Sequence, residues 1–376
     1  MNIENNKISG KQLGRLVFHD FFALQTLVLP GMLAKTAGID GFFALAAGSA
    51  AGLGLLFLVL GQIRDMQQNG QDYHACLRAC FGGLLTVVIL MVYLLSALFG
   101  AAYGLRLLCD ITRQYLIRDT PAWLVMAVLV LLAVYGLYAG LESRGRMYEI
   151  VFWLVLVPLF VMFFLSARNV EADRWVPVFC AEGWQFLEGS YLVFVFFSGM
   201  VGLPMLAEGV LPRTDTAHVL KQSVCLCVCI NLVLYLLLTG IFGAPTVAAM
   251  ETAPLTLTAL VKVPGGFFER HDALLCGIWL VSVFAFVENT LFYMIWCIKK
   301  IGKIRVQGRA LPVAGIAVYV LALFMYRSRD ITLQLARVYA GIAVPVLVGI
   351  TVVACILPAW KNRKQKRSTG SKEENR

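Results

Sequence analysis

Apolar runs of about 20 residues, the length that crosses a bilayer core as helix, recur along the chain between short polar connections. Only a helix or a closed barrel satisfies its own backbone in hydrocarbon. The pattern predicts ten spans, running roughly Leu13 to Ala34, Gly41 to Ile63, Cys80 to Asp110, Ala122 to Gly140 and Glu149 to Ser166. The second five are Gly189 to Val210, Val219 to Gly243, Ala273 to Ile298, Leu311 to Tyr326 and Val338 to Pro358. The third is long enough to require tilt. One transmembrane domain over residues 1–358 follows, with helices 1–5 at 13–166 and helices 6–10 at 189–358. Residues 359–376 form a basic, polar tail of disordered type. The connection Ala244 to Asp272, with Pro245, Pro254 and Pro264, has room for a short re-entrant or surface helix.

Two of these runs carry interruptions. Span one reads HDFFALQTLVLPG, and Pro30 removes a backbone donor there while Gly31 loosens the chain. Span six reads FFSGMVGLP, with Ser198, Gly199, Gly202 and Pro204 in seven residues. The two lie five helices apart, the arrangement of inverted-repeat transporters whose paired broken helices hold a ligand at mid-membrane. At such breaks free N–H groups and positive dipole ends suit a carboxylate, and exposed carbonyls suit an ammonium. An amino-acid zwitterion satisfies both. Gly and Pro also occur as ordinary kinks in membrane helices, which is the competing reading.

In span three, Tyr93, Ser96, Ala97 and Gly100 share one face by helical spacing. That face serves either a pocket wall or small-residue packing. Gly41, Ala44, Gly48 and Gly52 make a similar face on span two, where packing is the better reading. Asp20 and Glu288 are ionisable groups inside spans, and such groups often serve ions or protons. Together they form a candidate cation or proton site. The alternatives are an Asp20–Arg15 pair near the headgroups and a neutral, hydrogen-bonded Glu288. No metal centre is expected: Cys225, Cys227 and Cys229 point to different helix faces, and the four histidines are dispersed. Nothing reads as a nucleophile–base pair, so the chain is not expected to be an enzyme and no cofactor is implied.

Composition agrees with the pattern. The chain of 376 residues is 60% hydrophobic and 14% charged, with a mean hydropathy of +0.78. Its N-terminal MNIENNKISGKQ lacks the apolar core of a removable signal peptide. The net charge of +10 is assigned to membrane topology, not to nucleic acid. With both termini cytoplasmic, 21 of the 32 basic residues fall on that side, including Arg144 and the KNRKQKR run, as the positive-inside rule asks. Cys109 and Cys180 then share the outer side.

In order along the chain stand KISGKQL, LPGMLAKTAGIDGF, GLESRGRMYEI, VPVFCAEG, FFSGMVG and FFERHDALLCGIW, with Asp40, Glu269, Arg270 and Trp279 among them. In these the sequence resembles the spore germination permeases, the B-subunits of nutrient germinant receptors within the amino acid–polyamine–organocation superfamily. The resemblance implies an all-α polytopic fold of ten helices, a 5+5 inverted repeat with helices 1 and 6 broken around a small-nutrient site. It implies a receptor A-subunit, a C-subunit lipoprotein and membrane lipid as partners, in the spore inner membrane. Carried onto this chain, the ligand shell is Ala23, Gln25 and Thr26, then Tyr93, Ser96 and Ala97, then Ser198, Gly199 and Val201. Ala23 and Gln25 stand where glycines are common, and Val201 where a Glu is common. The function implied is sensing of a nutrient, an amino acid; a proton- or cation-coupled amino-acid transporter is the alternative.

Overall fold

The computed structural model describes residues 7–211, 215–260, 271–302 and 307–356. Glu269, Arg270 and the tail beyond 358 lie outside the described residues. Those described are almost wholly helical. α1 (Gly10–Ala37) and α2 (Gly41–Asn69) are followed by a short α3 (Tyr73–Phe81), then α4 (Gly83–Tyr115), α5 (Ala122–Tyr138) and α6 (Leu141–Ser166). The second half begins with α7 (Gly183–Phe197), a 3-10 segment (Ser198–Gly202) and α8 (Leu203–Ala207). Then come α9 (Thr216–Phe242), the short α10 (Ala244–Ala249) and α11 (Ala253–Leu260), α12 (His271–Gly302), α13 (Gln307–Arg327) and α14 (Arg329–Val338). A π-helical turn at Tyr339–Ala343 continues α14.

Among the described residues, eight helical stretches are long and apolar enough to cross a membrane. The first of them, Gly10–Asn69, contains both α1 and α2, and Ala122–Tyr138 is a shorter apolar helix. These helices make the chain a multi-pass membrane protein. The expected start of span three at Cys80 is corrected: Gly82, at φ 78°, separates α3 from α4. The connection after α9 does hold short helices, α10 and α11.

α1 is the central element. It starts on a capping box, in which Ser9 Oγ accepts from the Gln12 N–H and Gln12 Oε1 accepts from the Ser9 N–H. Phe18, Phe22, Ala23, Leu27 and Leu33 on it are fully buried. α6, α7, α9, α10 and α12 surround it. On α2 the small face packs against α7, where a Cβ at Gly48 would lie 2.6 Å from Val193.

The two expected breaks part company. α1 stays α-helical through Pro30 and Gly31, so the break expected there is corrected. Proline costs one turn its hydrogen bond, and neighbouring helices enclose that turn. Gly31 serves another purpose: any Cβ there would strike the Met250 carbonyl, which closes against α1. In the second half the interruption is present as the 3-10 segment Ser198–Gly202. Ser198 Oγ donates to the Val195 carbonyl at 2.6 Å, and Pro204 lies in the first turn of α8.

Candidate functional site

A cavity of about 1610 Å³ opens between α1, α4, the 3-10 segment and α12. Its α1 wall is the stripe Asp20, Leu24, Val28, Gly31 and Lys35, one helical face. The α4 wall carries Tyr93, Ser96, Ala97 and Gly100, so that face lines a cavity as well as packing. Ser198, Gly199, Val201 and Gly202 supply the third wall. A Cβ at Gly199 would meet nothing within 4 Å, so this glycine borders open space. Gly202 has a different role: a Cβ there would come within 2.9 Å of the Tyr293 ring.

Of the residues expected to hold a ligand, six therefore share this cavity: Tyr93, Ser96, Ala97, Ser198, Gly199 and Val201. Ala23, Gln25 and Thr26 are not among its lining residues. All three are buried against other helices. Gln25 Oε1 accepts from Asn231 Nδ2 at 3.3 Å on α9. Thr26 Oγ1 accepts from Trp279 Nε1 at 3.0 Å on α12 and donates to the Phe22 carbonyl. The expectation assumed an unwound backbone at these positions; in an intact helix the face decides, and theirs is the packing face. Pro30 and Pro204 also lie outside the lining, whereas Gly31 is part of it.

The cavity runs along the bundle. From Tyr93 to Asp110, both lining it, α4 rises about 25 Å. The end away from Tyr93 carries Lys35, Arg106, Arg113 and Arg329. There Arg329 pairs with Glu251 at 2.5 Å, with both side chains exposed. Polar contacts tie the helices together at the Tyr93 end. Tyr93 Oη meets Tyr73 Oη at 3.1 Å on α3. Glu208 accepts from the Tyr73 N–H at 2.7 Å and from Trp296 Nε1 at 2.8 Å. Ile8, fully buried, exchanges backbone hydrogen bonds with Gly209 and Leu211 directly after α8. The chain directly after α8 is thus tied to the N-terminal segment.

Asp20 and Glu288 belong to one network, with a partner the sequence reading left on the cytoplasmic surface. Arg144 on α6 is buried, its Nε 3.5 Å from Glu288 Oε2. Its other arm donates to Asn289 Oδ1. Asn289 Nδ2 in turn donates to Asp20 Oδ1 at 2.6 Å, and Tyr293 Oη lies 3.5 Å from Oδ2. Tyr148 donates to Glu288 Oε2. The expected direct approach of Asp20 and Glu288 is thus replaced by a chain through Asn289 and Arg144. The alternative Arg15–Asp20 pair is absent, because Arg15 pairs with Glu149. Arg144 was hidden in the basic GLESRGRMYEI string, and only the three-residue offset from Leu141 to Arg144, both inward on α6, could have exposed it. Cys109, buried in α4, and Cys180, exposed, are both free thiols.

A sequence profile described as spore germination protein matches residues 7–331. Spore germination protein YndE of Bacillus subtilis strain 168 is 19% identical over 368 residues, covering 96% of this chain and 99% of that protein. Spore germination protein B2 of the same strain is 23% identical, covering 76% and 77%. Spore germination protein GerLB of Bacillus cereus is 24% identical, covering 74% and 75%. Among solved structures, a Na+-coupled sialic acid symporter in a substrate-bound outward-open state superposes with a TM-score of 0.68 at 13% identity. It covers 94% of this chain and 80% of that one. MhsT in complex with L-phenylalanine gives 0.74 at 10% identity, covering 90% and 87%. At such identities these structures share the fold alone, the five-plus-five helical transporter architecture. By the profile match along most of its length, the chain belongs to the spore germination protein family.

Proposed function

We propose that the protein is the nutrient-sensing membrane subunit of a germinant receptor, and that the cavity beside the 3-10 segment takes the nutrient. The observation that carries the reading is the placement of Gly199: it faces open space on the wall where the second half is interrupted. A small ligand there touches the broken helix, whose far end is tied to Tyr73 and Trp296 through Glu208. Occupancy shifts the balance between two arrangements of the helices, and partner subunits read that balance. The nutrient is an amino acid, and the protein binds it without chemically changing it. The partners are an A-subunit and a C-subunit lipoprotein in the spore inner membrane, with the termini of this chain cytoplasmic.

The likeness to two solute-transporter structures favours one further reading, a secondary transporter coupled to a proton or cation. Deletion of the gene in its host separates the two. Purified spores are scored against a panel of amino acids and sugars, and nutrient uptake is measured in growing cells. Selective loss of one germination response with uptake intact supports the receptor. Intact germination with impaired uptake, or net counterflow through the reconstituted protein alone, supports the transporter and overturns the receptor reading.

A further inference from the structure

We infer that the cavity takes a ligand bearing an ammonium group, received by Asp20, while Arg144 acts as the built-in cation for Glu288. This rests on reading the cavity as the nutrient site. The network holds two carboxylates and one guanidinium. A carboxylate withdrawn from water needs a counter-charge or must take up a proton, so the issue is which carboxylate Arg144 serves.

Glu288 is enclosed by protein. Its side chain is 1% exposed and that of Arg144 2%, with Nε 3.5 Å from Oε2. Tyr148 donates to the same oxygen. On the other side Gly136 makes room for Oε1, where any Cβ would clash. Glu288 is not among the residues lining the cavity. Its counter-charge is therefore in place and fixed.

Asp20 is different in each respect. It is half-buried and lines the cavity. Its hydrogen-bond partners, Asn289 and Tyr293, are neutral. Arg144 is linked to it by hydrogen bonds only through Asn289, and acts on its charge from beyond hydrogen-bond reach. Lys35, the basic residue of the same helix that lines the cavity, stands 15 positions along α1 from Asp20, about 22 Å away. Unless it holds a proton, Asp20 takes its balancing positive charge from the cavity side. An ammonium supplies it with three donors on a compact centre. A sugar supplies no charge, and a ligand carrying only a carboxylate adds a second negative one. No inorganic ion is needed beside Glu288, since the guanidinium already stands there.

The test is thermal unfolding of the purified full chain with matched probes. These are L-alanine and L-valine, their 2-hydroxy-acid analogues, ethylammonium, glucose and NaCl. The expected result is stabilisation by the amino acids or by ethylammonium, at least tenfold stronger binding than the hydroxy acids, and no shift with glucose. In Asp20→Asn, which keeps an oxygen for Asn289, that tenfold preference disappears. If this variant does not fold, the amine-against-hydroxy-acid comparison on the wild type decides. Hydroxy acids or glucose binding as tightly as the amines, or an unchanged preference in Asp20→Asn, would overturn the inference and leave the cavity reading standing. Stabilisation by NaCl alone, lost in Asp20→Asn, would overturn it in favour of an inorganic cation. A wild-type curve unmoved by every probe would overturn both.

Discussion

α1 and the α7–α8 pair open the two halves of the chain, and each carries glycine and proline within an apolar run. α1 has a single disruption. Pro30 removes one backbone donor, and buried Leu27, Leu29 and Leu33 pack around that turn. In the second half Ser198, Gly199, Gly202 and Pro204 act within seven residues, and the helix tightens to a 3-10 segment. One lesion can be absorbed by packing, whereas several adjacent ones give the backbone a different hydrogen-bond pattern. The difference assigns separate tasks. α1 is the central packing element, its Asp20 face lining the cavity and tied to a buried charge network, and the 3-10 segment is the wall where Gly199 borders open space.

If that division holds, substitutions around α1 cost stability and those at Gly199 cost response. The largest loss of stability is expected for Arg144→Ala, which leaves Glu288 buried without its partner, at about 3–5 kcal/mol. Unfolding in mixed micelles measures it, and a loss under 1 kcal/mol would remove Arg144 from the network. Gly31→Val forces a side chain against the Met250 carbonyl and should cost about 1–3 kcal/mol by the same assay. Pro30→Ala restores a hydrogen-bond donor within an intact helix and should stabilise by about 1 kcal/mol or more. A clear loss there would mean that the proline maintains a bend the helix needs. Gly199→Ala, adding a methyl to open space, should change stability by no more than about 0.5 kcal/mol.

Much of this division was legible along the chain. Apolar run length located the helices, since a lipid-spanning helix must carry its own apolar surface. The crowding of Ser198, Gly199, Gly202 and Pro204 marked the interrupted one, and the spacing of Tyr93, Ser96 and Ala97 marked a face open to either a pocket or packing. What failed was the inference from Pro30 to a break, because the packing that tolerates a proline comes from elements distant in sequence, here Met250. Ala23, Gln25 and Thr26, expected beside that break, lie on the packing face and outside the cavity lining. Arg144 was misplaced for a related reason. A basic residue near a helix start normally belongs at the membrane surface, and only the carboxylate 144 positions away on α12 draws it inward.

The most direct test of the central claim is germination of spores carrying Gly199→Trp, beside Gly54→Trp as a control. Gly54 is exposed on α2 and also borders open space, but it lies outside the cavity lining. The indole at position 199 fills the space beside the 3-10 segment. The account predicts wild-type amounts of both proteins in the membrane, loss of the nutrient response in Gly199→Trp, and its retention in Gly54→Trp. Normal germination of the Gly199→Trp spores, with the protein folded and present, would contradict the placement of the nutrient in this cavity.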